Sequence, residues 1–145
     1  MFIGQYQSSF KVNNQLEIPA NFQNLLSGQV VVTQGFERNI LILPVEVFQD
    51  LSRLVMALNI ADPLARGLMR MLFGNAQYSE IDSSGLISLP DRLKEFAGLT
   101  GDVVLIGQGK YIEIWSGEAW HKQSQDLQDV EANSQRFASL SLAGF

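Results

Sequence analysis

The stretch FKVNNQLEIPANFQNLL at residues 10–26 returns further down the chain as IDSSGLISLPDRLKEFA at residues 81–97. Both run hydrophobe, polar turn, short apolar strand, proline, amphipathic segment. Ile18-Pro19 aligns with Leu89-Pro90 at an offset of 71 residues, and Phe22 and Leu25 align with Leu93 and Phe96. The repeat then continues. GQVVVTQG (28–35) matches GDVVLIGQ (101–108), and NILILPVEVF (39–48) matches YIEIWSGEAW (111–120) after one shift in spacing. A half of about 45 residues buries too little surface to be stable alone. Two such halves packed together form one pseudo-symmetric barrel, so the duplication itself predicts a fold.

Each half reads strand, turn, strand, short helix, strand, turn, strand, helix. Val30–Val32 and Val103–Ile106 are short, largely β-branched runs between glycines, the pattern of buried strands. Hairpin turns are expected at 34–39 and 107–110, each with a glycine able to take positive φ. Pro19 and Pro90 sit where short helices open and a missing N–H costs nothing. Longer helices are expected over 45–58, over 63–73 behind an Asp62 cap, and from a Ser116 cap onward. Leu16, Ile18, Ile87 and Leu89 alternate as core strands do. Leu64, Leu68, Met71 and Leu72 make a helical stripe, destined for core or for a subunit interface. The chain from 121 on is polar, with a weak helical period that predicts fraying. These signals divide the chain into a first half (1–60), a linker helix (61–73), a second half (74–130) and a flexible C-terminal tail (131–145).

Composition narrows the chemistry. With 46% hydrophobic and 17% charged residues the chain has the material for a packed core. No apolar run approaches the roughly 20 residues of a membrane span, and MFIGQYQ lacks the features of a signal peptide, so a cytoplasmic protein without membrane contact is expected. Zero cysteines exclude disulfides and thiolate chemistry. His121 is the only histidine and has no acid–base partner in view, and no H-x-x-x-H metal spacing exists. GQGK (107–110) lacks the helix and hydroxyl residue of a phosphate loop and reads as a hairpin turn. Trp115 and Trp120 read as packing anchors. No enzyme, cofactor, metal or small-molecule substrate is expected. The net charge of −5 speaks against nucleic acid, but residues 1–73 carry five basic and five acidic side chains, so the acidity sits wholly in 74–145.

The two polar turns differ. In the first, Lys11, Asn13, Asn14 and Gln15 follow a strand bearing Tyr6 and Ser8. Amides of this kind read adenine edges and a lysine neutralises phosphate, yet Asn-Asn is also an ordinary solvated turn. The second turn, Asp82-Ser83-Ser84-Gly85, has no positive charge, and Asp82 is expected to bond backbone N–H groups. Arg66 and Arg70, four apart on the linker helix, suit either a phosphate or interface pair, or ion pairs with Asp62 or a partner subunit.

Taken together, MFIGQY, LEIPANF, VVVTQGF…ILILP, DPLARGLMRMLFG and VVLIGQGKYIEIWSGEAW resemble the MraZ family, in its order and spacing, from residue 1 to about 125. The resemblance implies an α+β, β-rich fold: a tandem duplicated swapped-hairpin barrel of the AbrB type with peripheral helices. It implies a transcriptional regulator of the division and cell-wall gene cluster, assembled as a ring and bound to promoter DNA in the nucleoid. Each half in the family carries a D-x-x-x-R turn whose arginine contributes to recognition. Here those positions hold Lys11 and Gln15 in the first half and Asp82 and Leu86 in the second, so neither arginine is present. DNA recognition, if carried by Lys11, Asn13, Asn14, Gln15, Tyr6 and Ser8, is then expected to be weakened or altered. The alternative is an oligomeric assembly protein of the same descent that no longer binds DNA.

Overall fold

The computed structural model describes residues 1–142 and shows a mixed α+β chain dominated by β-structure. The first half supplies β1 (Gln5–Ser9), β2 (Gln15–Glu17), α1 (Ala20–Gln23), β3 (Gln29–Gln34), β4 (Ile40–Pro44) and α2 (Val45–Met56). Then come α3 (Pro63–Gly74), β5 (Gln77–Glu80), β6 (Leu86–Ser88), α4 (Asp91–Ala97), β7 (Asp102–Gly107), β8 (Ile112–Ser116), α5 (Gly117–Leu127) and α6 (Val130–Arg136).

The halves exchange strands. In the six-stranded sheet the order is β1-β7-β8-β4-β3-β5, and β2 pairs with β6 in a second, two-stranded sheet. Thus β1 of the first half lies on β7 of the second, Tyr6 opposite Leu105, while β5 lies on β3, Gln77 opposite Val32. These are the same pairing seen from the two halves, since Tyr6 aligns with Gln77 and Val32 with Leu105. Leu16 pairs with its own repeat counterpart, Ile87, and Ile40 with Ile114 across the β4–β8 pair. A pseudo-twofold axis therefore runs between β2 and β6 and between β4 and β8.

The core follows from that symmetry. Leu16, Ile18 and Ile87 are fully buried and Leu89 nearly so, as the alternation predicted. Phe22 and Leu93, matched in the repeat, each drop from a short helix into the same cluster as Val30, Val32, Val103 and Leu105. Both halves thus contribute to a single core, with inward faces of strands closed by α1 and α4. Trp115 is buried and Trp120 packs edge-on against it at 5.7 Å, the packing role expected of both.

Local chemistry sets the ends of elements. Asp62 accepts a hydrogen bond from the Leu64 N–H at 2.9 Å with Pro63 in the first turn of α3, and Ser116 accepts from the Ala119 N–H at 3.1 Å. Several details differ from expectation. Gly109 has positive φ in its turn, but Gly35 does not; a Cβ on Gly35 would collide with the side chain of the buried Asn39, so close approach explains that glycine. On α3 the buried residues are Ala65 and Leu72, whereas Leu64 is 82% exposed, so the stripe does not enter the core at its N-terminal end. Arg66 forms no ion pair with Asp62; its guanidinium donates to the carbonyls of Ile60 and Ala61 at 3.0 and 3.1 Å, closing the loop before α3. The C-terminal segment continues as α6 behind an Asp129 cap that accepts from the Ala132 N–H, so a short helix occupies the start of the region read as a flexible tail. Residues 143–145 lie outside the described residues.

Candidate nucleic-acid interface

The first polar turn is a compact, preset structure. The Lys11 N–H donates to the Gln15 carbonyl at 2.7 Å, and a single 3-10 turn spans Val12–Asn14. Asn13 (φ 65°) and Asn14 (φ 60°) both adopt the left-handed conformation. Asparagine tolerates this region better than other side chains, which explains the pair. Lys11, Val12 and Asn13 form an exposed apex, while Gln15 is half-buried in β2 opposite Ser88.

Besides the half-buried Gln15, the structure separates the other five candidate residues into free and engaged groups. Lys11 points to solvent, with the Glu17 carboxylate beside it at 3.7 Å. Asn13 is exposed. Tyr6 instead packs edge-on against Phe22 at 4.9 Å, and its hydroxyl accepts from the Asn21 amide at 2.8 Å. Ser8 donates to the Glu17 carbonyl at 2.9 Å, as its repeat counterpart Ser79 donates to Ser88 at 3.3 Å, so this contact belongs to the fold of both halves. Asn14 has both ends of its amide occupied: Nδ2 donates to Asp91 Oδ1 at 2.6 Å, and Oδ1 accepts from Lys94 Nζ at 2.6 Å. Asp91 and Lys94 escaped the sequence reading because a charged face on a short helix looks like solvated surface. The available signal was the repeat, in which Lys94 stands where the first half has Gln23.

The second turn is built differently. Asp82 Oδ1 accepts from the backbone N–H groups of Ser84 and Leu86 at 2.8 and 3.0 Å, the structural role predicted for it. Gly85 supplies the positive φ (78°) that Asn14 supplies in the first turn. The two turns flank the β2–β6 pair, each tied to the opposite half. The Ile18 N–H donates to the Gly85 carbonyl at 2.9 Å, and its symmetry mate Leu89 N–H to the Asn14 carbonyl at 3.5 Å.

Elsewhere the described residues offer little for catalysis or metal binding. No group of three or more His, Asp or Glu side chains is placed to hold a metal among them. No described helix is long and apolar enough to cross a membrane. An open groove beside α2, lined by Phe36, Leu41, Leu43, Val47, Leu51 and Leu54, is apolar with Lys110 and Asp50 at its rim. Opposite Leu41, Glu113 accepts from the Trp115 indole at 2.8 Å and from the Gln108 amide at 3.3 Å. Burial holds its carboxyl above the ordinary range against those hydrogen bonds, and the charge of Glu37 pushes the same way as burial.

Comparison with known proteins decides the descent. A regulator from Thermomicrobium roseum named "Transcriptional regulator MraZ" is 37% identical over 141 residues, 97% of this chain and 99% of its own length. The chain belongs to the MraZ family. Proteins of the same name from Herpetosiphon aurantiacus and Roseiflexus castenholzii are each 38% identical, covering 83% and 95% of this chain and 84% and 94% of their own. A family model described as "MraZ protein, putative antitoxin-like" matches residues 72–140. The name shared by these MraZ relatives describes regulators of transcription, not enzymes.

Proposed function

We propose that this MraZ-family chain is a DNA-binding transcriptional regulator of the division and cell-wall gene cluster. It acts in the cytoplasm, on the nucleoid, as a ring-shaped homo-oligomer. The observation that carries this reading is the first turn: an exposed lysine and an exposed amide on a preset apex, in a family whose curated relatives are named regulators. The strand exchange between β1 and β7 and between β5 and β3 supports reading residues 1–60 and 74–130 as two AbrB-like halves of one swapped-hairpin barrel. Residues 61–73 then serve as the linker helix, and 131–145 as a tail beyond the barrel.

Recognition through this turn is weaker, or of different specificity, than through a turn bearing arginine. Lysine neutralises a phosphate but lacks the planar fork that reads guanine bidentately. Ring assembly compensates by raising the effective concentration of each further apex once one is engaged. Large apolar side chains left open at Leu54, Met56, Ile60 and Leu64 support self-association. A second reading, an assembly protein without DNA contact, is favoured by the Glu17 carboxylate beside Lys11 and by Gln15 and Leu86 at the arginine positions.

Titration against a duplex from a division-cluster promoter, at several salt concentrations, decides between them. A regulator shows a negative slope of log affinity against log salt and prefers the promoter to scrambled duplex. Lys11→Ala flattens that slope by about 0.9 for each apex engaged with a phosphate. No binding at low salt overturns the regulatory reading. Light scattering gives the mass, and a monomer at working concentration removes the ring.

A further inference from the structure

Asn14 joins two elements that sequence places far apart. Its amide nitrogen donates to Asp91, 77 residues away, and its amide oxygen accepts from Lys94, 80 residues away, both at 2.6 Å. Hydrogen bonds with an ionised partner are the shorter and stronger kind. The Lys94 ammonium also lies 4.2 Å from the centre of the Phe10 ring, the residue that leads into the turn. A cation over an aromatic face is held by the ring as well as by its hydrogen bond. Lys94 is half-buried, so its charge is directed into the base of the turn and not towards solvent.

We propose that Asp91 and Lys94 on α4 are positioning residues for the first turn: they clamp Asn14 and so aim Lys11 and Asn13 at DNA, without touching DNA themselves. The proposal rests on the regulatory reading above and assigns roles within the same site. It removes Asn14 from base reading, because an amide with both ends occupied has nothing left for an adenine edge.

The repeat separates what the fold requires from what was added. Backbone bonds from Leu89 to Asn14 and from Ile18 to Gly85 are symmetry mates, and they hold both turns. The side-chain clamp has no mate. The counterpart of Asn14 is Gly85, that of Asp91 is Ala20, and that of Lys94 is Gln23, which packs against Gly85 but donates to the Ile18 carbonyl and bonds no side chain of the second turn. A barrel with these two halves closes without the clamp, since the second turn does so. Two consecutive left-handed asparagines are the least secure part of the first turn, and the clamp seizes the second of them. Fixing a loop in its bound conformation before binding lowers the ordering cost of binding.

The test uses the full chain, with Asp91→Ala, Asp91→Asn, Lys94→Met and Lys11→Ala compared on the same promoter duplex. Hydrogen exchange of the amides of residues 12–15 is followed in the free proteins. Simple electrostatics and the clamp predict opposite signs at position 91. Removing a carboxylate near DNA tightens binding if only charge matters. With a clamp, Asp91→Ala weakens binding by about five- to tenfold, less than the full worth of one charge-assisted hydrogen bond, because the bond acts on DNA only through the turn. Asp91→Asn, which keeps the acceptor oxygen, restores most of the loss. Lys94→Met weakens binding by a similar factor with the salt slope unchanged, whereas Lys11→Ala lowers the slope. In both Asp91→Ala and Lys94→Met the turn amides exchange faster while strand amides do not.

Tighter or unchanged binding for Asp91→Ala overturns the clamp. So does a reduced slope for Lys94→Met, which makes Lys94 a phosphate contact. If the wild-type chain binds no DNA at low salt, the regulatory reading fails by itself. The exchange data then judge the clamp alone, and unchanged exchange in the turn overturns it.

Discussion

Lys11 Nζ lies 3.7 Å from Glu17 Oε2, across the mouth of the first turn, with both side chains more than half exposed. At this exposure the pair adds little to stability, because water and salt screen it. It matters more for DNA. If the apex meets DNA as proposed, Glu17 competes with phosphate for the lysine charge and repels the incoming backbone. Glu17→Gln is therefore expected to tighten promoter binding about two- to threefold and to leave the thermal midpoint unchanged. Affinity measured by anisotropy at two salt concentrations checks this, and the gain shrinks at the higher one. Weaker binding by the variant would count against an apex that works through Lys11.

Leu16 stands opposite its own repeat counterpart, Ile87, and both are fully buried. A cavity here opens at the pseudo-twofold axis, where neither half can close over it independently. Leu16→Ala is expected to cost about 2–5 kcal/mol in chemical denaturation. Because the two residues are in register, the double variant with Ile87→Ala departs from additivity. Loss of less than about 1 kcal/mol in Leu16→Ala contradicts the shared core.

What sequence reveals here divides by the range of the interaction. The caps at Asp62 and Ser116, the strands of Val30–Val32 and Val103–Ile106, and the alternation of Leu16 and Ile18 are local, and periodicity shows them. The repeat also shows which residues are equivalent. It does not show which half a strand pairs with: β1 has the same pattern whether it lies on β3 or on β7, and long-range pairing is settled by the packing of the whole fold. The site was legible to the same depth. The left-handed Asn13 and Asn14 and the structural Asp82 follow from side-chain chemistry within four residues. The partners of Asn14 on α4 do not, because Asp91 and Lys94 carry no mark that distinguishes them from solvated charges. The partners of Arg66 were hidden for a related reason, since the Ile60 and Ala61 carbonyls at a loop end are invisible in a list of side chains.

Glu113 provides a pH signature of the fold. Burial pushes its carboxyl above the ordinary value of 4.5, hydrogen bonds from Trp115 and Gln108 oppose the shift, and Glu37 reinforces it. The folded chain thus holds this proton more tightly than the unfolded chain. Stability falls as pH rises from the ordinary value through the raised one, and the deficit is complete above the latter. Glu113→Gln keeps an acceptor oxygen for the Trp115 indole but cannot ionise. Its thermal midpoint is expected to exceed that of the wild type at neutral pH, with the gap closing as pH falls below 4.5. A constant gap across this range would mean that packing, not ionisation, distinguishes the variant.

Leu64 tests the ring. It is 82% exposed at the start of α3, near Leu54 (72%), Met56 (62%) and Ile60 (70%) where α2 runs into α3. Leu64→Glu removes no buried contact within the chain, and a carboxylate in the first turn of a helix is favourable to the helix. The folded subunit should therefore be unharmed, as judged by circular dichroism. If this surface joins subunits, burying the new charge without a partner opposes assembly, and the mass in light scattering falls. Promoter affinity then falls by more than the single apex accounts for, because linked sites gain about 100-fold or more from one another. Leu142→Glu, at a similarly exposed leucine, serves as the control (72%). An unchanged mass in Leu64→Glu places the subunit contact elsewhere, and loss of mass without loss of DNA affinity separates assembly from recognition.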